Sequence, residues 1–111
     1  MLLRFRKEDH DIFAAIRDGR KRVETCAATV KYARLEPGET LAFACDGERF
    51  ERTIAAVSHF ASVDALLEGY TPAQLHPGIT TAEEVRAMYR GFPGYDAKIA
   101  RYGIVAIELS R

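Results

Sequence analysis

The chain opens with a period of two: Leu3 and Phe5 alternate with Arg4 and Arg6, predicting a short first strand with one wet face. The period then lengthens. Ile12, Phe13 and Ile16 share one side of a helix that Asp9 or Asp11 can cap and Gly19 can terminate. Arg22 to Ala27 is a predicted second strand, whereas Thr29 to Leu35 fits neither period. Pro37-Gly38-Glu39-Thr40 is a turn signal leading into Leu41, Phe43 and Cys45, which alternate with alanines as in a buried strand. Asp46-Gly47 supplies a hairpin turn. The return strand is expected to set Phe50, Arg52, Ile54 and Ala56 on one face and Thr53, Ala55 and Val57 on the other, which makes this hairpin central to the sheet.

From Ser62 the period is helical. Val63, Leu66 and Leu67 form one short helix, and Thr71-Pro72 opens another with a cap and a first-turn proline, broken at His76-Pro77-Gly78. Thr80 to Glu84 is a capping-box start for a helix that buries Val85, Met88 and Tyr89 and ends at Gly91-Phe92-Pro93-Gly94. Gly103 to Leu109 is the predicted closing strand, with Val105, Ile107 and Leu109 facing in. Strands that are mostly not separated by helical crossovers predict an α+β fold, a small barrel of about five or six strands with flanking helices, occupying residues 1–111 as one domain.

Composition narrows the setting. The 111 residues, 48% hydrophobic and 29% charged, are those of a globular domain. The longest apolar stretches, Ile12 to Ile16 and Ile104 to Ile107, fall far short of the roughly 20 residues that cross a bilayer. The start lacks the apolar run of a secretory signal, so a cytoplasmic protein with no membrane partner is expected. Cys26 and Cys45 have no CxxC spacing and are expected as reduced, partly buried thiols. His10, His59 and His76 show no mutual metal-ligand spacing, and no metal or cofactor is expected. Sixteen basic residues balance sixteen acidic ones, so any nucleic-acid affinity has to come from a local patch.

That patch is sought in Gly19-Arg20-Lys21-Arg22-Val23-Glu24, which packs three cations and an acid behind the first helix. A lysine between arginines and near a carboxylate serves as an anion contact when charged, or as a base or nucleophile when neutral; the residues alone leave both open. The plainer alternative is a solvated cluster complementing the helix C-terminus. Strict strand alternation would send positions 21 and 24 to opposite faces. For both to line one concavity, each at least partly exposed, a bulge or turn is required there.

The pattern Gly19-x-Lys21-x-x-Glu24 resembles the signature of ASCH domains, which usually continues with x-Arg; here Cys26 stands in that arginine's place. The resemblance continues through Leu35-Glu36-Pro37-Gly38-Glu39-Thr40-Leu41-Ala42-Phe43 and resumes in Tyr102 to Leu109, covering most of the chain. It implies a PUA-like barrel whose cleft, beside the first helix, holds Lys21 and Glu24. ASCH domains are proposed to bind RNA, and some small members hydrolyse the amide of acetylated cytidine or cut RNA. In the amidohydrolase branch the lysine is joined by a threonine three residues on and a glutamate before the late helix. This chain has Glu24 and the stretch His76-Pro77-Gly78-Ile79 at those places, so of these only Lys21 matches.

Three functions follow as expectations. The first is a module binding RNA or a modified nucleoside, with Arg20, Lys21 and Arg22 on phosphate or sugar and Glu24 accepting from a base or ribose group. The second is a small hydrolase, an amidohydrolase or ribonuclease, in which Lys21 or Glu24 activates water. The third is a protein-interaction or regulatory domain, whose mark would be a large exposed apolar patch.

Overall fold

In a computed structural model, which describes residues 1–110, the alternating start becomes strand β1 (Leu2–Arg4) and the helical period after it becomes α1 (His10–Arg17). Helix α1 buries Phe13, Ala15 and Ile16. Gly19, at φ +81°, then turns the chain through a left-handed conformation toward β2 (Val23–Ala27). The ambiguous stretch that follows holds a single helical turn, α2 (Val30–Ala33). The predicted hairpin is present as β3 (Thr40–Cys45) and β4 (Glu48–Phe60).

Four helices come next: α3 (Val63–Gly69), α4 (Pro72–Leu75), α5 (Ala82–Arg90) and α6 (Tyr95–Tyr102). Thr71 and Gln74 make the reciprocal bonds of a capping box on α4, and Thr81 caps α5. Helix α6 was not predicted, because the Gly91 to Gly94 break reads as the end of helical structure. Its inward side is slight: Ile99 is its one buried residue.

The closing strand β5 (Ile104–Leu109) completes a five-stranded sheet of order β1-β3-β4-β5-β2. The α+β class and the strand count agree with expectation. β1 pairs with β3 in parallel, and the other neighbours are antiparallel. The strands that end this order, β1 and β2, are edges of one curled sheet, a half-barrel.

Of two expectations about strand faces, that for β5 holds and that for β4 requires correction. Val105, Ile107 and Leu109 do face the interior, with Phe13, Ile16, Phe43 and Ile54. Yet Ile104 and Ala106 are equally buried on the opposite face, under Leu66, Leu75, Val85, Tyr89 and Ile99 of helices α3 to α6. Strand β5 is covered on both sides, which explains its unbroken apolar run. In β4 the register jumps from Ile54↔Leu109 to Ala56↔Glu108, leaving Ala55 as an extra residue. This bulge reverses the alternation, so Val57 packs on the interior cluster in place of Ala56.

Gly103 fixes how α6 enters β5. It sits at φ +79°, and a Cβ there would lie 2.5 Å from the Phe60 carbonyl oxygen. Cys26 and Cys45 are both free and buried. Among the described residues, no helix is long and apolar enough to cross a membrane.

Candidate functional site

Because the sheet curls without closing, its edge strands flank a cleft of ≈ 720 Å³. One wall is β1 and the residues after it, from Leu2 to Arg6. The other is Glu24, Thr25 and Cys26 of β2, continued by Lys31 and Tyr32 of α2. Leu75 and His76 at the end of α4, Met88 of α5, Phe92, and Tyr95 of α6 complete the lining, with Lys21 among them.

Lys21 reaches this cleft because it precedes the strand. After the Gly19 turn its backbone N–H donates to the Ala15 carbonyl at 2.9 Å, and β2 begins only at Val23. The turn demanded by the three-residue spacing is thus present, and Lys21 and Glu24 line one concavity. The expectation that both are partly exposed fails for Lys21, which is 4% exposed, whereas the Glu24 side chain retains 13%. Burial of the amine is supported by its bonds: Nζ donates to the Val23 carbonyl at 2.5 Å and to the Leu75 carbonyl at 2.8 Å. Its distance to Glu24 Oε1 is 3.6 Å, an ion pair without a direct hydrogen bond.

These contacts also engage part of the outer edge of β2. The Val23 carbonyl is taken by Lys21, the Thr25 N–H donates to Glu24 Oε1 at 2.9 Å, and the Ala27 N–H donates to the Tyr95 hydroxyl at 3.4 Å. Each such bond removes a backbone group that an added strand would need.

Below the edge lies a tyrosine pair. Tyr89 and Tyr95 stack with centroids 6.3 Å apart, and the Tyr89 hydroxyl is hydrogen-bonded to Thr25 Oγ1. Burial pushes the Tyr89 phenol well above its ordinary value and pushes Tyr95 up to about 12. Burial, reinforced by the Glu24 charge, likewise raises the Cys26 thiol, so Cys26 is an inert wall of the cleft. His76 Nδ1 lies 2.8 Å from the Pro77 carbonyl. A carbonyl only accepts, so Nδ1 carries the proton, and in the neutral ring Nε2 holds the lone pair.

Of the basic cluster expected at Arg20, Lys21 and Arg22, only Lys21 lines this cleft; Arg20 and Arg22 are exposed outside it. Arg20 stands 3.5 Å from Asp18, and Arg22 borders a second hollow of ≈ 390 Å³ with Arg17 and Arg52, which Lys21 also lines. Consecutive residues in an extended turn project to different sides, so adjacency in sequence does not bring all three to one opening. The cations that do join Lys21 are Arg4, Arg6 and Lys31. No spacing in the sequence groups them, because the curl of the sheet brings β1 and α2 to the same opening. Among the described residues, no group of three or more histidine, cysteine or acidic side chains is placed to hold a metal ion.

No protein-family description matches the chain, and no curated protein does. Solved structures do. A crystal structure of "hypothetical protein PH0355" superposes with a TM-score of 0.78 over 99% of this chain and 98% of that one, at 22% identity. The solution structure of protein PF0455 from Pyrococcus furiosus gives a TM-score of 0.73 over 99% and 96%, at 24% identity. At these identities the likeness establishes a shared small fold and nothing finer.

Proposed function

We propose that the protein is an ASCH-type, PUA-like module that binds a nucleoside, free and modified or within RNA, in the cleft between its edge strands. The observation that carries this is the pairing of Lys21 Nζ with Glu24 Oε1, 3.6 Å apart, in a concavity of ≈ 720 Å³. That volume is in the range of small-molecule sites, and apolar walls with a few fixed polar groups are their usual make-up. A base edge offers a carbonyl oxygen beside an amino group, and an ammonium next to a carboxylate complements both. Tyr32, Phe92 and Tyr95 supply aromatic faces in the same lining. Lys21 and Glu24, two of the residues that carry the family resemblance, both line this cleft.

A hydrolytic reading draws on the same pair. Glu24 would take a proton from water as its oxygen attacks the carbonyl carbon of an acetylated cytidine. Lys21 would stabilise the oxyanion, and Glu24 would return the proton to the leaving amino group as the C–N bond breaks. Phosphodiester cleavage in RNA is its second form.

The discriminating experiment is calorimetry against cytidine, acetylated cytidine and a short RNA, with chromatography of each mixture. Saturable binding lost in Glu24→Gln supports the module. Release of acetate, or of RNA fragments, that disappears in the same variant supports the hydrolase. No binding and no turnover with any of them refutes both and leaves a protein-interaction or regulatory domain as the remaining function.

A further inference from the structure

The lining of the cleft holds four cations, Arg4, Arg6, Lys21 and Lys31, and two carboxylates, Asp9 and Glu24. The carboxylates are already engaged. Arg6 Nε bonds Asp9 Oδ2 at 2.9 Å, and Lys21 pairs with Glu24 at 3.6 Å. Arg4 and Lys31 remain, and neither has an ion-pair partner among the described residues. In a chain of zero net charge, this opening therefore carries two positive charges without a local partner.

Their placement matters as much as their number. Arg4 belongs to β1 and Lys31 to α2, so they stand on the two sides of the opening between the sheet edges. Both are exposed, while Lys21 lies buried beyond them. Lys31 Nζ lies 5.0 Å from the centroid of the Tyr32 ring, itself part of the lining. A ligand whose polar edge meets Lys21 and Glu24 therefore leaves its outer end between an arginine and a lysine.

We infer that the cleft selects a phosphate monoester, a nucleoside monophosphate or the phosphorylated end of an RNA, with the phosphate held by Arg4 and Lys31. This rests on the nucleoside reading and deepens it. A monoester carries close to two negative charges at neutral pH, whereas a phosphodiester carries one, so the monoester alone neutralises the pair. Arg4 presents a fork of donors suited to two phosphate oxygens, and Lys31 adds a point charge. The assignment moves the phosphate contact away from Arg20 and Arg22.

The test compares cytidine, cytidine 5′-monophosphate, cytidine 3′-monophosphate and inorganic phosphate by calorimetry at low and high salt, using the intact chain and Arg4→Gln/Lys31→Gln. Both substitutions are at exposed side chains, and a thermal melt confirms folding. One or both monophosphates are expected to bind about tenfold more tightly than cytidine at low salt. That advantage shrinks with salt and vanishes in the double variant, whose affinity for cytidine is unchanged. Equal binding of cytidine and its monophosphates overturns the phosphate site while leaving the nucleoside cleft intact. A monophosphate advantage that persists in the double variant overturns it too. If no nucleoside or nucleotide binds, both proposals fall. A short RNA offered with a 5′-phosphate or a 5′-hydroxyl separates the two sources: tighter binding of the phosphorylated form identifies an RNA end, and equal binding, with the monophosphate preferred, identifies the free nucleotide.

Discussion

Lys21 Nζ donates to the carbonyl of Leu75 at 2.8 Å across 54 residues of chain, tying the turn before β2 to the last residue of α4. One buried side chain thus couples both halves of the cleft. Replacing it by alanine leaves the Val23 and Leu75 carbonyls without a donor and the Glu24 carboxylate without a counter-charge. Lys21→Ala is expected to cost on the order of 3 kcal/mol in urea unfolding, the scale for removing one member of a buried pair. Glu24→Gln in the same background is expected to recover part of that loss, because it removes the uncompensated charge. Strictly additive losses would show that the 3.6 Å pair contributes nothing to folding.

Gly103 carries a sharper backbone constraint. Its φ of +79° and ψ of −166° belong to a region that only glycine occupies readily, and an added Cβ meets the Phe60 oxygen at 2.5 Å. Gly19 is also at positive φ, +81°, but has nothing within 4 Å of that position. Gly103→Ala is expected to destabilise by roughly 3 kcal/mol and Gly19→Ala by about 1 kcal/mol, the first adding a clash to the conformational cost. Equal losses in denaturant titrations would contradict the close approach of β4 to the α6–β5 junction.

These two residues show what was legible in the sequence. Gly19 was read correctly as a helix terminator, and the turn needed to bring Lys21 and Glu24 together was deduced from their spacing. Local patterns carry such information. The burial of Lys21 was missed, because its acceptor on Leu75 is supplied by a helix remote in sequence. Arg4 and Lys31 were missed as cleft residues for the same reason, since only the curl of the sheet relates β1 to α2. Helix α6 was missed because the Gly91-Phe92-Pro93-Gly94 break masks a new start. The alternation of β4 failed at Ala55, where a bulge inserts one residue that leaves no mark in a run of small apolar side chains.

The tyrosines under the cleft set an alkaline limit to stability. Tyr95 is raised by burial from 10.0 to about 12, and Tyr89 is raised further in the same direction. The folded protein then keeps protons that the unfolded chain has lost, so between pH 10 and about 12 stability falls as pH rises. Below pH 10 the contribution is fully present. Absorbance of phenolate at rising pH, followed together with circular dichroism, is expected to show these two rings ionising above the ordinary tyrosine range. Their ionisation in the native protein, at the ordinary value, would contradict their burial.

The proposed nucleoside site lies between the edge strands. Its most direct measurement is a backbone amide NMR titration with acetylated cytidine, cytidine and cytidine 5′-monophosphate. The expected result is saturable shifts confined to the Lys21 to Cys26 segment, Tyr32, His76 and Tyr95, extending to Arg4 and Lys31 only with the monophosphate. Shifts gathered around Arg17, Asp18 and Arg52, or no saturable shift with any of the three, would contradict it.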